Sequence, residues 1–207
     1  MHRRIRQRVC TFILALTAVL TLSGCYETKY QVFGREDGVT VAGLEGRYRF
    51  EDNGAISYVG VARTDSGNDY RFRAITPDEP ERQLGVFRAI RISADLYIAQ
   101  FTPRSRLWDS KSRADHGFIY MFFRVIRDGQ HIVRIEQLET EWTSQTREEQ
   151  QQLQQAIRTI ARRDKVDVWE REYNNEGLSG APTALKKFLL DIAKAPLHVN
   201  RIYSRIE

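Results

Sequence analysis

Few side chains in this 207-residue chain are spaced for chemistry. A nucleophile elbow needs Gly-x-Ser-x-Gly. Gly177-Leu178-Ser179-Gly180-Ala181 lacks the last glycine and reads as a loop ahead of a helix, so Ser179 is expected to serve the backbone there. His116, His131 and His198 stand alone, with no second histidine three or four residues away, and Asp115-His116 reads as a turn at a loop–strand border. Acids gather at Glu136, Glu139 and Glu141 and at Asp78, Glu79 and Glu81. Paired acids can divide general-acid and general-base roles, but both groups read as loop or solvent-face positions. No Gly-rich phosphate loop is present. The sequence therefore predicts no catalytic residues and no metal site.

Three arginines form the most suggestive set. Phe72-Arg73-Ala74-Ile75, Phe87-Arg88-Ala89-Ile90 and Phe123-Arg124-Val125-Ile126 share a Phe-Arg-small-Ile pattern. This suggests a rung in which Phe alternates with Arg across a sheet. If the strands are neighbours in register, Arg73, Arg88 and Arg124 line one face and would contact an anion or a protein partner. The alternative is a solvated outer face on which each arginine meets an acid. Tyr48, Tyr58, Tyr70, Tyr97, Tyr120, Trp142 and Trp169 suit core or cross-strand pairs. Trp108, in a polar stretch, is the aromatic expected to be an exposed contact.

The N-terminus carries the clearest signal. Met1 to Arg8 holds four arginines and no acid, followed by an apolar run from Val9 to Leu22. Fourteen helical residues span about 21 Å, short of a hydrocarbon core of about 30 Å, so the segment reads as a signal peptide. Its removal lowers the formal net charge from +5 to +1, which dissolves any suggestion of nucleic-acid binding. Leu22-Ser23-Gly24-Cys25 resembles the lipobox of bacterial lipoprotein precursors at all four positions. The resemblance implies cleavage between Gly24 and Cys25, with a covalent diacylglycerol and an N-acyl chain on Cys25 and no other cofactor. Tyr26 stands where an aspartate retains enterobacteria-like lipoproteins on the inner membrane, which implies the outer membrane, facing the periplasm. The only other cysteine, Cys10, lies in the leader, so neither a disulfide nor a thiolate site is expected in the mature chain.

The elements that must position these residues are strands. Charged residues make up 29% of the chain and the mean hydropathy is −0.50, which excludes a polytopic membrane protein. Residues 25–45 hold three glycines before Gly46 and no helical period, and read as a lipid-anchored tether or an entry strand. Alternation then predicts strands over 47–50, 56–63, 70–75, 84–92, 96–101, 117–126 and 131–138, with turn chemistry at Asp52-Asn53-Gly54, Thr64–Asn68 and Asp128-Gly129. The period then changes to that of a helix. Thr146 and Glu149 form a capping box, and Leu153, Ala156, Ile157, Ile160 and Ala161 follow on one helical face. A short strand is expected within 166–173, a second helix from Pro182 to Pro196, and a last strand over 197–206.

The expected fold class is therefore α+β: an antiparallel β-meander of about seven strands, curved or barrel-like, followed by two amphipathic helices. Residues 1–24 would be the leader, 25–45 the anchored segment and 46–207 one periplasmic domain. Gly46-Arg47-Tyr48 resembles the opening Gly-x-Trp of lipocalins, with Tyr in place of Trp, over those three residues. The leading expectation is a membrane-anchored, non-enzymatic binding or assembly module. Its expected partners are the membrane, through the lipid, and an envelope protein. The alternatives are a small-ligand carrier with a lumen lined by tyrosines and by the three arginines, or an enzyme using scattered acids.

Overall fold

The structure is a computed structural model that describes residues 25–52, 54–65, 67–76, 81–103, 117–139, 147–170 and 176–206. Seven strands appear where alternation places them: β2 (Gly46–Asp52), β3 (Ala55–Arg63), β4 (Asp69–Ile75), β5 (Arg82–Arg91), β6 (Leu96–Pro103), β7 (Phe118–Asp128) and β8 (His131–Glu139). Four more complete the eleven among the described residues: β1 (Tyr26–Thr28), β9 (Asp167–Glu170), β10 (Glu176–Ser179) and β11 (His198–Arg205). The helices are α1 (Arg147–Asp164) and α2 (Pro182–Ile192). The predicted capping residue of α1, Thr146, lies outside the described residues.

Each strand from β2 to β8 pairs antiparallel with the next. The last strand, β11, lies antiparallel between β2 and β8. Those pairings close the eight strands β2–β8 and β11 into a barrel. β1 adds antiparallel to β7, and β10 and β9 extend the sheet from β1.

Closure divides the apolar residues into two cores. Inside the barrel lie Tyr48, Phe50, Val59, Val61, Tyr70, Phe87, Tyr97, Phe101, Phe123 and Val125. On the outer wall of β5–β8, Ile90, Ile98, Phe122 and Leu138 meet Ile157 and Ala161 of α1 and Leu185, Phe188, Leu189 and Ile192 of α2. Ala156, read from the sequence as part of the apolar face of α1, is exposed. Pro182 occupies the first turn of α2, where its missing N–H leaves no helical bond unmade.

Residues 25–45, read as a tether or an entry strand, begin with strand β1 and are packed against the barrel. After β1 the chain runs along the outer wall. There the Phe33 N–H donates to the Gln100 Oε1 at 2.9 Å and the Phe33 carbonyl accepts from Gln100 Nε2 at 3.1 Å. It then crosses one end of the barrel, where Val41 and Leu44 are buried. The Val41 N–H donates to the Tyr70 hydroxyl at 2.8 Å, and the Tyr48 hydroxyl donates to the Leu44 carbonyl at 2.7 Å. These bonds stopper the end of the barrel that carries the β3–β4, β5–β6 and β7–β8 turns.

Candidate functional site

The cavity lies toward the opposite end, where Ala55, Ile56 and Thr76 line it. The strand alternation points one set of side chains inward, and the interior of an eight-stranded barrel is just wide enough for those side chains or one small ligand. Here the side chains leave a cavity of about 340 Å³, the lower part of the range of small-molecule sites. Its walls are mainly apolar, with Phe50, Val59, Phe72, Ala74, Phe87 and Phe101 prominent. The ring of Phe72 stands edge-on to Phe87 at 6.5 Å and to Phe101 at 6.2 Å, and Phe87 stands edge-on to Phe123 at 6.4 Å. The Phe-Arg-small-Ile pattern therefore builds an aromatic rung inside the barrel.

Besides Ser57 of β3 and Thr76, the polar groups at the cavity come from β2, β8 and β11. Arg201 is buried, with Nη2 3.2 Å from the Asp52 carboxylate and its guanidinium 5.0 Å from the centre of the Phe50 ring. The Tyr203 hydroxyl donates to Gln137 Oε1 at 3.1 Å, and burial pushes its pKa up, so it stays a neutral donor. Glu139, also buried, accepts from Gln137 Nε2 at 3.3 Å and from the Asn200 amide. Cys25 is buried too. Alternation along β1 sends Tyr26 to the outer core and Cys25 to the other side of the wall, where it feels Glu139 and Arg201. Burial is the largest cause of the strong rise in its thiol pKa, followed by the Glu139 charge, so an unmodified Cys25 is a neutral thiol.

The three arginines singled out in the sequence do not converge. Strand alternation puts each Phe inside and each Arg outside, and β6 separates β5 from β7. Arg88 grips Asp69, its cross-strand neighbour, at 2.7 and 3.0 Å. Arg73 meets Glu81 at 2.9 Å, and Arg124 lies 3.7 Å from Glu136 and 3.8 Å from Asp95. Among the described residues, the arginine that lines the cavity is Arg201. Trp108, His116, Asp78, Glu79 and Glu141 lie outside the described residues.

Two acids read as solvent-facing are buried. Glu136 sits on the outer wall, 2.8 Å from Arg134, and Glu139 sits beside the lumen. Ser179 closes strand β10, opposite Asp167, where a loop was expected. Among the described residues no three His, Cys, Asp or Glu side chains cluster to hold a metal, and no helix is long and apolar enough to cross a membrane. No family model matches this chain, and neither a curated protein nor a solved structure does.

Proposed function

We propose that this protein is a cell-envelope lipoprotein, held to its membrane by acyl chains on Cys25, whose barrel binds a small apolar or amphiphilic ligand. The observation that carries the reading is the cavity: about 340 Å³, walled by aromatic rings, with buried Arg201 in its wall paired to half-buried Asp52. An apolar chain entering it leaves water at a gain of about 0.8 kcal/mol per methylene. Tyr203, Gln137 and the Arg201–Asp52 pair supply hydrogen-bonding groups that would orient a polar head. Binding of this kind is the small-ligand carrier that the sequence offered as an alternative to a binding or assembly module, and it needs no catalytic residue.

The test is titration of the purified protein with a dansylated fatty acid. Saturable binding with enhanced emission is expected. Ala74 faces the lumen, and Ala74→Trp fills it, which should weaken binding about tenfold or more, equivalent to ~1.4 kcal/mol or more. Unchanged affinity in a variant that still melts cooperatively would place the probe elsewhere and defeat the proposal.

A further inference from the structure

Residues 38–45 do more than cross one end of the barrel, because the side chain of Leu44 is part of the cavity wall. Leu44 is buried, and its backbone is tied down on both sides. Four successive carbonyls accept hydrogen bonds from barrel side chains. Ala42 accepts from Arg127 Nη2 at 2.9 Å, Gly43 from Arg205 Nη1 at 2.6 Å, Leu44 from the Tyr48 hydroxyl at 2.7 Å and Glu45 from Arg205 Nη2 at 2.8 Å. Gly43 turns the chain ahead of Leu44 with φ at +75°, a conformation that suits glycine. The segment is therefore bound to β2, β7 and β11 at once, as a fixed floor rather than a hinged lid.

The wall changes character along the barrel axis. In the half nearer Leu44 stand Tyr48, Val61 and Phe87, and the Tyr48 hydroxyl is already engaged with the Leu44 carbonyl. The polar side chains Ser57, Thr76, Gln137 and Arg201 lie in the other half, and the Tyr203 hydroxyl reaches towards them through Gln137. Ala55 and Val61 of β3 both line the cavity. At ~3.3 Å per residue along a strand tilted by about 40°, they stand about 15 Å apart along the axis. A cavity that long and of about 340 Å³ is narrow, with room for one extended chain.

We propose that Leu44 is a specificity-determining residue: the ligand is a single-chain amphiphile whose tail points at Leu44, and Leu44 sets the longest tail that the lumen accepts. This rests on the lumen reading above. The head then meets the polar half, where its hydrogen bonds can be made, and no polar atom is forced into the apolar half.

The test uses the same purified protein and displacement of the dansylated acid by saturated fatty acids of about eight to eighteen carbons. Affinity should rise about fourfold for each added methylene, the equivalent of ~0.8 kcal/mol, and stop rising once the tail meets the floor. Leu44→Ala should move that break to acids about two or three carbons longer, and Leu44→Phe should move it to shorter ones. In the parent protein, the ¹³C-labelled terminal methyl of a bound acid should show nuclear Overhauser contacts to the Leu44 methyl groups. A break that stays in place in variants that still melt cooperatively would overturn the role of Leu44. So would contacts to Leu44 from the labelled carbon next to the carboxylate instead, a result that holds even if the variants fail to fold. Absence of displacement at every chain length would defeat the lumen reading itself.

Discussion

At the residue scale, inward and outward alternation decides most of the chemistry. Phe72, Phe87 and Phe123 were legible as a rung because their pattern recurs on three strands. Arg201 was not. In Val199-Asn200-Arg201-Ile202-Tyr203 the apolar residues look like the inward set, yet Val199 and Ile202 are exposed while Arg201 is buried. The register shift between Val199 and Arg201 in the β8–β11 pairing breaks the simple period, and a bulge leaves no reliable mark in the sequence. Gly85 makes a similar point about packing. A Cβ there would lie 2.4 Å from Phe101 Cζ and 2.5 Å from the Thr102 carbonyl oxygen. Gly85→Ala is expected to displace the Phe101 ring and destabilise the barrel by about 1–3 kcal/mol, read from the urea midpoint. A variant as stable as the parent would show that the ring has room to move.

At the element scale, the strands of the meander were readable because period two and turn residues are local signals. The ring they form was not, because β11 must travel back past two helices to lie beside β2, roughly 150 residues earlier in the chain. The helices are fastened to each other by charge. Asp164, buried at the end of α1, meets Arg163 and Lys187, while Asp191 of α2 meets Arg163, Lys187 and Lys194. Lys194, then Lys187, hold the Asp191 carboxyl down to about 2. An unfolded aspartate titrates near 3.9, so the ionised form is favoured by folding. This contribution is present in full above pH ~4 and is lost as the pH falls towards about 2. Solvent around the lysines limits it to about 1 kcal/mol. Asp191→Asn should therefore lower the melting temperature at pH 6 and leave it nearly unchanged at pH 2. Equal loss at both pH values would assign the effect to packing.

At the scale of the whole molecule, the proposed anchor and the lumen are expected to act independently. Cys25→Ser is expected to release the protein from the membrane pellet and abolish incorporation of labelled palmitate, while binding of the dansylated fatty acid persists. Retained palmitate in that variant would mean that Cys25 is not the acylated residue. The meander, the apolar face of α2 and the terminal strand were all written in the sequence, because each depends on residues within a few positions of one another. What the tertiary structure alone decided was closure: which strands meet at the seam, which end residues 38–45 stopper, and that Arg201 rather than Arg73, Arg88 or Arg124 faces the cavity. Those outcomes depend on pairing between distant segments and on the sense in which a closed sheet assigns inside and outside. No local pattern of side chains carries that information.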